Sequence, residues 1–98
     1  MPVYMIVDVR KIRDKQKYAE YVRKVPATLR RFGGRYLARG GKTFAASGDW
    51  RPGRLVIVEF PSMQKFRAWW NSPRYRKIAP LREQSAQTNA VVAKGIEP

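Results

Sequence analysis

Two carboxylates stand where strands are expected. Asp8 lies in Val3-Tyr4-Met5-Ile6-Val7-Asp8-Val9, and Glu59 in Arg54-Leu55-Val56-Ile57-Val58-Glu59-Phe60. Both runs are apolar, β-branched and bounded by breakers, the pattern of strands buried on both faces. Pairing the two runs should bring Asp8 and Glu59 near one another on one face. Arg35, Leu37 and Arg39 would arrive there from a neighbouring strand, Arg35-Tyr36-Leu37-Ala38-Arg39. Half-buried carboxylates must be paired or protonated. Arg39, and after it Arg35, is the natural partner, because a planar guanidinium can serve both acids. Such a group could bind or deprotonate a small anionic or keto-acid-like molecule. It could equally be an ion-pair network that sets strand register or a subunit contact. The residue types leave both open.

Other chemistries drop out. The chain has no cysteine and no histidine, so it has no disulfide framework, no thiolate nucleophile and no imidazole base or ligand. Ser47, Ser62, Ser72 and Ser85 therefore lack the base a serine triad needs. The scattered acids have no metal-ligand spacing, and no cofactor is expected. Gly33-Gly34 and Gly40-Gly41 match no phosphate-loop pattern and read as turn glycines.

A formal net charge of +14, from 21 cations against 7 acids, favours anions of any kind or simply a solvated basic surface. Phe66-Arg67-Ala68-Trp69-Trp70-Asn71-Ser72-Pro73-Arg74-Tyr75-Arg76-Lys77 interleaves aromatics with cations, a composition that suits nucleic acid. Phe66, Trp69 and Trp70 fall at helix-core spacing, however. The open face of the Arg54–Phe60 strand would also show Leu55, Ile57 and Glu59 where an RNA-recognition motif displays stacking aromatics.

The elements that must position these residues follow from pattern. Asp14 is a good N-cap, and Tyr18, Tyr21, Val22, Val25, Leu29 and Phe32 form one helical stripe, which Pro26 should kink or break. Gly33-Gly34 stops that helix. After the Arg35–Arg39 strand, Gly40-Gly41 should turn the chain and Lys42–Ser47 should return as a hairpin strand. Ser62 caps a short helix ending near Asn71. Ser72-Pro73 starts another, which Pro80 should bend or break. Thr88–Lys94 is the last strand, and Gly95–Pro98 a frayed tail. The order β-α-β-β-β-α-(α)-β is an α+β, ferredoxin-like arrangement with an extra hairpin strand, one domain over residues 1–98.

One sheet face collects Val3, Met5, Val7, Val9, Val56, Val58 and Phe60 and should lie under the helices. The other collects Tyr4, Ile6, Asp8, Leu55, Ile57 and Glu59, and no helix remains to cover it. A second copy is the simplest cover, giving a homodimer with two sheets closed toward a barrel. No apolar run approaches the roughly 20 residues of a membrane span. No charged-then-apolar leader opens the chain either, so a cytoplasmic location is expected.

Several segments resemble the family known as domain of unknown function 1330. They are Tyr18-Ala19-Glu20-Tyr21, Val25-Pro26, Phe32-Gly33-Gly34-Arg35-Tyr36-Leu37-Ala38-Arg39-Gly40-Gly41, Gly48-Asp49-Trp50, the Arg54–Ser62 run and Trp69-Trp70-Asn71-Ser72-Pro73-Arg74-Tyr75. The resemblance spans nearly the whole chain and implies the dimeric α/β-barrel fold, with no established activity. The wider group includes cofactor-free monooxygenases and isomerase-like proteins. It also includes haem enzymes that typically rely on a histidine, which this chain lacks. The expectation is a homodimer with a small-ligand pocket between sheet and helices, near Arg39, Asp8, Glu59, Trp50, Arg54, Tyr18, Ser72 and Tyr75. The alternatives are a cofactor-free enzyme on a small aromatic or enol substrate, and a basic nucleic-acid-associated protein.

Overall fold

A computed structural model describes residues 1–97. The chain runs β1 (Val3–Ile12), α1 (Lys15–Arg30), β2 (Arg35–Arg39), β3 (Arg54–Phe60), α2 (Met63–Trp70), α3 (Pro73–Ser85) and β4 (Ala86–Lys94). The strands form one antiparallel sheet in the order β2-β3-β1-β4. This is the ferredoxin-like α+β fold, with the three helices on one face. Pro98, the last residue of the expected tail, lies outside the described residues, while Gly95 N–H donates to the carbonyl of Pro2 at 2.8 Å.

Local chemistry sets the element ends. Asp14 caps α1 through the N–H of Lys17, Ser62 caps α2 through Lys65, and Ser72 caps α3 through Tyr75, with Pro73 in the first turn. Gly33 ends the α1 region at φ +74°, where a side chain would be strained and a Cβ would press on Pro61. The core lies between sheet and helices: Val3, Met5, Val58 and Phe60 pack against Val25, Leu29, Trp69, Tyr75 and Ile78. Phe66, Trp69 and Trp70 belong to this layer, with Trp69 and Tyr75 rings 4.1 Å apart. The two-faced sheet is therefore as the alternation requires.

Three expectations are corrected. Residues 42–47 form no strand. The N–H of Gly40, at φ +78°, donates to Leu55, and the far end of the loop is held to β1 by Trp50 and Gly53. Residues 40–51 are exposed throughout, with Phe44 92% accessible, so a returning strand would have no apolar face to bury. Second, neither Pro26 nor Pro80 breaks its helix; both sit inside continuous helices. The buried residues around them, Val25, Thr28 and Leu29 in α1 and Ile78 and Ala79 in α3, hold each helix through its missing donor. Third, Asp8 and Glu59 are not neighbours. In the antiparallel register Tyr4 faces Glu59 and Asp8 faces Leu55, which puts the acids at opposite ends of the β1–β3 pair.

A β-bulge completes the frame. Arg35 and Tyr36 pair with Glu59 and Val58, whereas Ala38 and Arg39 pair with Ile57 and Val56, leaving Leu37 as the extra residue. A one-residue insertion inverts the alternation beyond it. Arg39 thus shares the helix-side face with Tyr36, and Arg35 stays on the outer face with Glu59.

Candidate ligand pocket

A cavity of about 60 Å³ lies between the helix-side face of the sheet and the helices. Its apolar floor is Met5, Val7, Val9, Val56 and Val58, and Trp69 and Trp70 close one wall. The polar lining consists of Tyr18, Tyr21, Tyr36, Tyr75, Arg39, Arg54, Arg82 and Thr88, with no aspartate or glutamate. Three guanidiniums and four phenols on an apolar floor have the chemistry to hold an anion attached to an apolar body.

Each group has a definite support. Tyr21 and Tyr75 share a hydroxyl–hydroxyl bond of 2.8 Å. Arg82 donates Nη1 to Thr88 Oγ1 at 3.0 Å and lies 3.8 Å from the exposed Glu83 carboxylate. Arg39 stacks on the Tyr36 ring at 4.6 Å and donates Nη2 to the Val22 carbonyl at 3.3 Å. Arg54 and Arg82 each keep a buried Nε with no hydrogen-bond partner among the described residues. Buried donors are rarely left so, because an unmet one costs about 1–3 kcal/mol.

Burial decides the protonation of Tyr18, Tyr21 and Tyr36. It pushes the Tyr18 hydroxyl up, and the Arg54 and Arg82 guanidiniums pull it back only in part. Tyr21 is raised strongly by burial and by the Tyr75 oxygen against it. Tyr36 is raised by burial despite Arg39. Burial works against the charge on Arg82, but the Tyr75 and Tyr21 oxygens outweigh it and hold the cation charged. The lining therefore offers neutral hydroxyl donors and cationic donors together.

Of the eight residues singled out in the sequence, Tyr18, Arg39, Arg54 and Tyr75 line this cavity. The other four lie outside it. Asp8 is buried on the far side of the sheet. It accepts from Arg10 Nη1 at 2.8 Å, from Trp50 Nε1 at 2.9 Å and from the N–H of Gly53 at 2.9 Å. Burial would raise its pKa, but these donors outweigh it and the carboxyl sits below its ordinary value. Glu59 pairs with Arg35 Nε at 2.7 Å, with Arg35 largely exposed. Ser72 is spent on capping α3 and on a bond to the Trp69 carbonyl. Arg39 therefore partners neither acid, because the Leu37 bulge turns it to the other face.

Arg82, Tyr21 and Tyr36 line the cavity without having been singled out. Arg82 carried a signal: it stands seven residues after Tyr75 and four after Ile78, on the buried stripe of α3. Tyr21 sits three residues after Tyr18 on the α1 stripe. Tyr36 gave no signal, since strand alternation alone places it opposite Arg39.

Among the described residues no cluster of acids could hold a metal ion, and no helix is long and apolar enough to cross a membrane. Solved structures share the fold. A protein of unknown function from Rhodopseudomonas palustris superposes with a TM-score of 0.80 at 24% identity, covering 99% of this chain and 84% of its own. A dimeric ferredoxin-like protein of unknown function from Jannaschia sp. CCS1 gives 0.72 at 10% identity, covering 97% and 100%. The cofactor-independent oxygenase SnoaB from Streptomyces nogalater gives 0.69 at 11% identity, covering 99% and 95%. No protein with a curated description matches the chain. The model of one family matches residues 2–96, and the chain belongs to that family, the domain of unknown function DUF1330.

Proposed function

We propose that the protein works as a homodimer and binds a small organic anion in the arginine- and tyrosine-lined cavity. The ligand contacts are Arg39, Arg54, Arg82, Tyr18 and Tyr75. One observation carries the reading: the polar lining of the cavity brings together Arg39, Arg54 and Arg82 and holds no carboxylate. An anion there meets cationic donors and no opposing charge.

Two facts support the dimer. The outer sheet face leaves Leu37 49% and Val91 61% accessible, next to half-buried Ile6, Leu55 and Ile57. A structural neighbour is described as a dimeric ferredoxin-like protein.

Calorimetric titration with benzoate and with simple aliphatic carboxylates tests the binding. Micromolar to millimolar saturation that disappears in Arg54→Met and Arg82→Met is expected. Heats no different from dilution for every anion would overturn the reading. The second reading, a cofactor-free enzyme on a small aromatic or enol substrate, shares the same residues. It requires turnover that falls in Arg39→Ala while stability holds.

A further inference from the structure

The loop between β2 and β3 is tied down at both ends and exposed between them. Gly40 N–H donates to the Leu55 carbonyl at 2.8 Å and fixes the near end. Asp8 fixes the far end, accepting from Trp50 Nε1 and from the N–H of Gly53, each at 2.9 Å. Arg10 adds a bond from Nη1 to the Arg51 carbonyl at 2.8 Å. Phe44 is 92% and Trp50 57% accessible, so neither ring serves the core of its own chain. An open concavity of about 520 Å³ lies inside the loop. Its apolar lining is Phe44, Ala45, Ala46, Trp50, Pro52 and Leu55. Exposed aromatics gathered around a hollow mark a contact surface.

Leu55 decides what the hollow meets. In the β1–β3 register it pairs with Asp8, two residues along from the Ile6–Ile57 pair, and Ile6 also pairs with Val91. Leu55, Ile57, Ile6 and Val91 therefore share the outer sheet face. That face and the hollow have Leu55 in common, so whatever covers the sheet there also meets the loop. We infer that residues 42–52 form an arm that docks on a second copy of the chain, with Phe44 as its anchor. The inference rests on the homodimer reading above and adds to it a segment outside the sheet. A two-fold contact is isologous, so each copy's arm lies against the other copy and two aromatic anchors are buried per dimer. Asp8 is the positioning residue, because its one carboxylate holds both the Trp50 ring and the Gly53 backbone. An arm already held at both ends loses little freedom on docking.

Sedimentation equilibrium over a range of protein concentrations tests the arm. Phe44→Ser should raise the dimer's dissociation constant by about tenfold or more, the effect of leaving one phenylalanine side chain in water. Phe44→Leu should keep most of the affinity, and Lys77→Gln, an exposed residue on α3, should keep all of it. Because Phe44 is exposed in the single chain, Phe44→Ser should unfold in urea as the wild type does when both are diluted to monomer. A second measurement needs no variant in the arm. Trp69 is buried and Trp70 half-buried, so acrylamide quenching reads mainly Trp50, and it should be weaker in the wild-type dimer than in an Ile57→Lys monomer. A wild-type dimer that Phe44→Ser leaves equally tight overturns the arm, keeps the dimer on the sheet face alone and leaves Phe44 to an occupant other than a second copy. Equal quenching in dimer and monomer overturns it as well. A wild-type monomer at micromolar concentration removes the dimer and the arm together.

Discussion

Arg39 repairs a defect made by Pro26. A proline at position 26 has no N–H to give the carbonyl four residues earlier, that of Val22, and the Arg39 guanidinium donates to that oxygen from β2 at 3.3 Å. The bond ties the mouth of the cavity to α1, and it exists only because the Leu37 bulge sends Arg39 to the helix side.

This pairing predicts a measurable coupling. Arg39→Ala should cost up to about 1 kcal/mol in urea denaturation, since the side chain is exposed. In a Pro26→Ala background the helix supplies its own donor to Val22, so the Arg39→Ala cost should shrink. Additive costs in the double-mutant cycle would show that the two residues are independent.

Asp8 should govern acid stability. Its folded value lies below the ordinary 3.8, so the stability it contributes is complete above that value and is lost as pH falls through the lower, folded one. Asp8→Asn should cost about 1–3 kcal/mol at pH 7 and flatten the decline in stability below pH 4. Guanidinium denaturation at pH 7 and at pH 3 measures both.

The buried phenols should govern alkaline stability. Tyr18, Tyr21 and Tyr36 are raised above 10 in the folded chain. Their contribution is therefore complete below pH 10 and is lost above it, as the unfolded chain ionises first. Absorbance of tyrosinate should rise together with unfolding, and Tyr21→Phe should shift that transition to higher pH. A tyrosinate signal from Tyr21 in a still-folded protein would contradict the assignment.

The outer sheet face should carry self-association. Sedimentation of the wild type at micromolar concentration should show a dimer, whose interface we expect to bury on the order of 1,600 Å². Ile57→Lys, central on that face opposite Ile6, should weaken the dimer by at least about tenfold, because an unpaired ammonium would be buried against the partner. A wild-type monomer with that face in water would refute the assignment.

The chain's order of elements, apart from the expected strand at 42–47, was legible because its signals are local. Asp14, Ser62 and Ser72 cap helices with their own next turns, and the valine alternation in β1 and β3 separates a helix face from an outer face. Of the residues singled out for a pocket, Tyr18, Arg54 and Tyr75 line the cavity between sheet and helices, and Arg39 joins them through the bulge.

Tertiary structure alone decided the rest, and each case turns on a long-range relation. The antiparallel register separated Asp8 from Glu59, because pairing runs in opposite directions from a single anchor. The Leu37 bulge reversed the face of Arg39, since alternation survives only as long as each residue has one partner. Residues 42–47 stayed out of the sheet because Asp8 holds the loop's far end through Trp50 and Gly53. Composition therefore determined that the protein carries many cations, few acids and no histidine. Packing determined that three of those cations would meet four phenols in a place no carboxylate reaches, because burial and strand geometry depend on neighbours far away in the chain.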